Sequence, residues 1–143
     1  DASGNPTLKN SDVIFFNNLK HRSGDIWLTG DNRTGAGDGD DEQIIVKLNS
    51  LSNDYYKIVF IVQIYEGAKN NQHFGQVQNA FIRAVDASGK EMVRFNLSGK
   101  DQYDQQRSLL FAELVRESNG WKFNALGSSS ASDNFVEWLK KYV

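Results

Sequence analysis

Between Gly30 and Glu42 the chain reads Gly-Asp-Asn-Arg-Thr-Gly-Ala-Gly-Asp-Gly-Asp-Asp-Glu, a set of side chains suited to holding a hard cation. Asp31, Asp38, Asp40, Asp41 and Glu42 crowd five carboxylates into this stretch, opposed by Arg33 alone. Carboxylates that close repel one another unless a positive charge lies among them. Gly30, Gly35, Gly37 and Gly39 permit the sharp turns that direct carbonyl oxygens inward. Asn32 and Thr34 add neutral oxygens, and Asp38, Asp40 and Glu42 alternate in a spacing that can point side chains one way. Ca²⁺ accepts about six to eight oxygens in loose geometry, and this donor set suits it. A solvated Gly/Asp-rich loop has the same composition, so the residues alone leave both readings open.

Two familiar motifs are excluded. Counted from Asp38, the sixth position of an EF-hand is Gln43 instead of Gly and the twelfth is Asn49 instead of Glu. A phosphate cradle fails because Gly30-x₄-Gly35 is followed by Ala36-Gly37, not Lys-Ser/Thr, and the surrounding carboxylates repel phosphate. Other chemistry has thinner support. His21 and His73 are isolated in sequence and no cysteine is present, which argues against a structural zinc site. Either histidine could enter a Ser-His-Asp triad, yet no Gly-x-Ser-x-Gly exists and Ser128–Ser130 read as linker. Paired acids in a Gly-rich loop lack the apolar setting that makes a carboxyl a proton donor. Glu66, at the end of a strand, reads either as an additional metal ligand or as a solvated strand end. Phe74 and Val77 read as core plugs.

The elements that must position the acidic segment fit one domain of 143 residues. Nine Phe, five Tyr and three Trp supply the volume for a core. No run approaches the roughly eighteen apolar residues of a membrane span. Net charge of −2 with dispersed Lys and Arg gives no basic patch, and nucleic acid is not an expected partner. Asp1-Ala-Ser-Gly4 recurs as Asp86-Ala-Ser-Gly89, where it reads as a hairpin turn. By the same logic the first copy should follow a strand, so the chain is expected to begin mid-hairpin, as an N-terminally incomplete domain. A signal peptide is neither indicated nor excluded.

Short β-branched and aromatic runs predict strands at Val13–Phe16, Ile26–Thr29, Gln43–Leu48, Tyr56–Tyr65, Ala80–Val85 and Glu91–Leu97. Tyr56–Tyr65 is nearly all apolar and reads as a central strand covered on both faces. In the next two runs Phe81, Ala84 or Val85, Val93, Phe95 and Leu97 are expected to oppose Arg83 and Arg94. Gln105–Glu117 is rich in helix formers, but the alternation of Leu110, Ala112 and Leu114 and the Asn119-Gly120 turn beyond it favour a strand. Trp121, Phe123 and Ala125 should share one face of the following strand. Gly127–Ala131 reads as a Gly/Ser linker. Beyond it, Ser132 or Asp133 could cap a C-terminal helix within residues 132–143, packed through Phe135, Val136, Leu139 and Val143. The predicted class is mainly β: an antiparallel β-sandwich with a short C-terminal helix.

Seven stretches together resemble the TerD family of bacterial tellurite-resistance and stress-response proteins. They are Asn17-Asn18-Leu19-Lys20, Thr29–Glu42, Lys57-Ile-Val-Phe60, Phe74-Gly-Gln-Val77, Asn79-Ala-Phe-Ile-Arg83, Arg94-Phe-Asn-Leu-Ser98 and Trp121-Lys-Phe123. The resemblance implies two neighbouring Ca²⁺ sites, cytoplasmic residence with association at the membrane, a role in stress or tellurite tolerance, and no catalytic activity. It also implies protein partners from the stress response at the inner-membrane periphery. Carried over by position, Asp31, Asn32, Asp38, Asp40 and Glu42 are side-chain ligands, and Thr34, Gly37 and Asp41 contribute backbone carbonyls. Glu66 and Asn96 are more remote candidates. Family members begin with further N-terminal strands, one of them acidic, and often carry Asp where this chain has Asn96. Two alternatives stand beside this reading: a metal-dependent phosphoester hydrolase, and a Ca²⁺-dependent module for anionic lipid.

Overall fold

The computed structural model describes residues 9–29, 42–64, 66–76, 81–97 and 103–142. In chain order the strands are β1 (Ile26–Leu28), β2 (Ile44–Val46), β3 (Lys57–Gln63), β4 (Phe81–Val85), β5 (Glu91–Asn96), β6 (Ser108–Glu117) and β7 (Gly120–Ser130). One helix, α1 (Val136–Leu139), follows them, and short 3₁₀ turns lie at Asn10–Asp12 and Phe74–Gln76. The chain divides into two compact units, the first ending at Tyr56 and the second running from Lys57 to Tyr142.

In the second unit, β6 lies between β3 and β7 in an antiparallel sheet, and β4 pairs with β5 in a second one. The two sheets close on a shared apolar layer. Phe60 and Val62 of β3, Leu109 and Phe111 of β6 and Phe123 of β7 meet Ile82, Ala84, Val93 and Phe95 of the hairpin, with Phe74, Leu97 and Tyr103 sealing the layer. This is the sandwich expected from the alternating runs.

Phe111 organises that layer. Its ring stands edge-on to Phe95 at 5.5 Å and to Phe123 at 6.1 Å. Both ladders of β6 change register beside it: Phe60 pairs with Ala112 but Ile61 with Leu110, and Ala112 pairs with Ala125 but Leu110 with Ser128. The second shift gives β7 an extra residue at Leu126–Gly127, a bulge that turns the strand around the ring. Gly127 is required there, because its φ is +69° and a Cβ would meet Phe95 Cζ at 3.2 Å.

Several expectations are corrected. Among the described residues the strand with neighbours on both sides is β6 and not the expected Tyr56–Tyr65, because β3 has only β6 beside it there. Residues 108–112 of β6 are buried throughout. The Gly/Ser stretch is no linker, since Ser128, Ser129 and Ser130 pair with Leu110, Leu109 and Ser108. Small side chains suit a strand beside the crowded end of β6. Val13–Phe16 forms no strand: Phe15 bridges to Asn18 across a tight turn, and Asn18 Nδ2 donates to the Val13 carbonyl at 2.7 Å. Phe81 is exposed and lies under the Arg94 guanidinium at 4.3 Å, so Ile82 and Ala84 face the core in its place. Ala125 is exposed as well, because the bulge interrupts the alternation begun by Trp121 and Phe123.

The helix has only four residues, and neither Ser132 nor Asp133 caps it. Asp133 instead accepts from the Ala68 N–H at 3.0 Å, and Ser132 Oγ from Asn134 N–H at 3.2 Å. Val136 is exposed and Val143 lies outside the described residues. Its anchor is Trp138, 6% exposed, whose indole N–H donates to Ser108 Oγ at 2.8 Å. The turns agree better with expectation. Glu117 pairs with Gly120 around Ser118-Asn119. Asp86 Oδ1 accepts from Ser88 N–H, Ser88 Oγ and Lys90 N–H, which holds the Asp86–Gly89 turn and lowers the carboxyl's pKa. The matching Asp1–Gly4 copy lies outside the described residues.

Replacing Ser108 with Ala removes the acceptor from a buried indole N–H, and urea unfolding followed by circular dichroism should register a loss of about 1–3 kcal/mol. Trp138→Ala should cost roughly 3–5 kcal/mol by emptying the site as well. A wild-type midpoint for both variants would remove Trp138 as the anchor of the C-terminal segment.

Candidate functional site

Of the sequence-predicted ligands, Asp31, Asn32, Thr34, Gly37, Asp38, Asp40 and Asp41 lie outside the described residues. What is described is the frame that carries them. β1 and β2 form an antiparallel ribbon with Ile26 opposite Val46, Trp27 opposite Ile45 and Leu28 opposite Ile44. Beyond Leu28, the Thr29 N–H donates to the Gln43 carbonyl at 2.9 Å, and the Gln43 N–H donates to Thr29 Oγ1 at 3.1 Å. The two ends of the acidic segment are therefore fastened side by side. Glu42, exposed, is the one predicted ligand next to this closure.

Glu66 and Asn96 both belong to the second unit. Glu66 follows β3 with φ +50° and sits 3.4 Å from Lys69 Nζ. Asn96 ends β5, exposed, opposite Phe81. Among the described residues, no group of three or more His, Cys, Asp or Glu could hold a metal ion.

The ribbon has a second support. Leu19–His21 runs along the free side of β1, with Leu28 N–H donating to the Leu19 carbonyl and His21 N–H to the Ile26 carbonyl, both at 2.8 Å. His21 is buried at the end of this pairing. Its Nδ1 accepts from the Ser23 N–H at 3.1 Å and lies 2.7 Å from Ser23 Oγ, which leaves the proton on Nε2, 3.0 Å from Asp12 Oδ1. Arg22 reaches Asp12 at 3.3 Å and donates to Ser11 Oγ at 2.9 Å and Tyr55 Oη at 2.7 Å. The Tyr55 ring stands edge-on to His21 at 5.0 Å. Sequence reasoning saw His21 as solitary because Asp12 and Tyr55 reach it only through tertiary folding.

Ser23, His21 and Asp12 have the membership of a hydrolytic triad, yet the local geometry describes a staple. The backbone donors that could serve an oxyanion are already engaged: Ser23 N–H by His21, Gly24 N–H by the His21 carbonyl and Asp25 N–H by Ser23 Oγ. Burial alone would raise the pKa of Asp12, but the Lys9 N–H, the His21 imidazole and Arg22 outweigh it and hold the carboxyl below the ordinary carboxylate value. A depressed carboxyl stabilises the fold above its unfolded pKa, about 3.9, and that contribution disappears as pH falls through the folded value. Chemical unfolding at stepped pH should therefore show wild type exceeding Asp12→Asn at pH 6, with the gap closing below about pH 4. A gap independent of pH would contradict the ionised staple.

A family model described as the TerD domain matches residues 2–142. Tellurium resistance protein TerX of Serratia marcescens is 67% identical over 141 residues, covering 99% of this chain and 66% of that protein. Stress response protein SCP2 of Bacillus subtilis (strain 168) is 43% identical over 132 residues, covering 92% of this chain and 65% of that one. The crystal structure of a homologue of the telluride resistance protein (TerD) from Streptomyces coelicolor A3(2) superposes with a TM-score of 0.67 at 23% identity. That likeness covers 80% of this chain and 66% of the crystallised one, and it concerns the fold. The chain thus spans just under two thirds of the length of these relatives. With a match extending across nearly every residue and identity of 67% to one relative, this chain belongs to the TerD family.

Proposed function

We propose that the chain is the calcium-binding module of a bacterial tellurium-resistance or stress-response protein, acting by binding and not by turnover. The observation that carries this reading is the closure at Thr29 and Gln43. It fastens together the ends of a segment holding four Asp, to which Glu42 adds a fifth carboxylate. Asp31, Asn32, Asp38, Asp40 and Glu42 would hold Ca²⁺ through side chains, and Thr34, Gly37 and Asp41 through carbonyls. Every one of these donors is a hard oxygen, as Ca²⁺ requires. The bound ion supplies positive charge that offsets carboxylate repulsion and the cost of fixing glycine dihedrals, about 1–2 kcal/mol per residue.

The names of its relatives, tellurium resistance and stress response, support the physiological setting. In this reading the protein resides in the cytoplasm. Once ordered by calcium, the segment presents a rigid surface to other stress-response proteins at the inner-membrane periphery. No helix among the described residues is long and apolar enough to cross a membrane.

Thermal unfolding in Ca²⁺ and in EDTA tests the proposal. At a hundredfold excess over the dissociation constant the ion should add roughly 2.7 kcal/mol and raise the midpoint. Trp27, on β1, should report binding by fluorescence, and Asp38→Asn with Asp40→Asn should abolish both responses. Equal midpoints in Ca²⁺ and EDTA would overturn the calcium reading.

A further inference from the structure

β3 has the composition of an interior strand and the position of an outer one. Ile58, Val59, Phe60, Ile61 and Val62 run without a polar residue, yet none of them is fully buried. Only β6 pairs with β3 among the described residues. Along its other side no backbone N–H or C=O from Lys57 to Gln63 has a hydrogen-bond partner among those residues. An exposed, apolar strand edge is a template for pairing with another chain.

Other strands are blunted in ways that β3 is not. β7 bulges at Leu126–Gly127, and β4 and β5 carry Arg83 and Arg94 at mid-strand. Bulges and charges are the ordinary devices against edge-to-edge pairing. In the β3–β6 ladder the extra residue, Phe111, belongs to β6, so β3 itself runs without interruption. The single charge of β3, Lys57, lies at its end, and the strand has no proline.

The strand's own symmetry indicates the occupant. Reversed about Phe60, the sequence Lys-Ile-Val-Phe-Ile-Val-Gln matches itself, with Phe60 opposite Phe60, Val59 opposite Ile61, Ile58 opposite Val62 and Lys57 opposite Gln63. Every apolar side chain then faces an apolar one, and the two lysines stand at opposite ends. A parallel pairing in the same register sets Lys57 against Lys57, and like charges directly opposite are destabilising. The C-terminal segment reaches β3 through side chains and not through its backbone. Gln63 Oε1 accepts from Phe135 N–H at 3.1 Å, and Lys57 Nζ stands 5.4 Å from the centroid of the Tyr142 ring.

We propose that β3 is a self-association edge: two copies of the chain pair β3 with β3, antiparallel, about a two-fold axis at Phe60. The pairing joins two three-stranded sheets into one, in the order β7-β6-β3-β3-β6-β7. It is strand addition to an exposed edge, and because both copies use the same surface the assembly closes at the dimer.

Sedimentation velocity of the full chain in EDTA, over a wide range of concentration, tests this apart from any calcium response. The mass should rise from 16.1 kDa to twice that value as concentration increases. Gln63→Glu keeps an acceptor for Phe135 N–H and sets a carboxylate opposite the partner's Lys57 at both ends of the pairing. Its dimer dissociation constant should fall about fivefold, and that of Gln63→Lys should rise by about the same factor. If the lysine variant fails to fold, the tightening in Gln63→Glu still reads the register. The proposal is overturned by a chain that stays monomeric throughout, which would leave the edge to a strand of another protein. It is equally overturned by a dimer whose dissociation constant Gln63→Glu leaves unchanged.

Discussion

Like charges can be gathered in one place only where something else holds the chain together, and here that is the three-residue pairing of β1 with β2. A ribbon this short is marginal in water by itself. It is not by itself: Leu19–His21 covers the other edge of β1, and His21 is tied through Asp12 and Arg22 to Tyr55. The staple joins groups that are far apart in sequence but share one network of charge-assisted hydrogen bonds. Such bonds are stronger than neutral ones and fix orientation. The geometry at Thr29 and Gln43 therefore depends on a buried histidine at the other end of β1.

The second unit solves a different problem. β6 must serve two ladders and two faces, and residues 108–112 are buried accordingly. A strand in that position has no room for irregularity at its flanks unless neighbours adjust. The adjustment is visible in the register changes on both sides of Phe111, in the bulge of β7 and in the absence of a side chain at Gly127. Ser108 gives the small polar contact that seats Trp138.

Much of this was legible in sequence. The β1, β2, β4, β5 and β7 cores, the Asp86–Gly89 and Ser118-Asn119 turns and the sandwich follow from alternation and turn chemistry. β6 was legible because the alternation of Leu110, Ala112 and Leu114 and the turn beyond it together outweighed helix propensity. The misplaced readings share a cause: they concern what neighbours decide. Apolar content made Tyr56–Tyr65 look central, but its place in the sheet is set by which strands lie beside it. Ser128–Ser130 looked like a linker until paired with a crowded strand. Phe81 looked like core because a cation over its ring cannot be read from composition. In the candidate site, the acidic residues announced themselves by local density, whereas His21, Asp12 and Tyr55 converge only in three dimensions.

The pairing of β3 with β6 joins residues such as Lys57 and Val115, or Gln63 and Ser108, that are remote along the chain. By contrast, β6 and β7 are joined through two residues and can zip from their shared turn. Ribosomal synthesis proceeds from the N-terminus, so Lys-Ile-Val-Phe-Ile-Val-Gln is made well before its partner exists. During that interval an apolar segment has no strand to pair with and its side chains face water, a condition that favours association between nascent chains. The topology thus makes the emergence of β6 the step that ends this exposure.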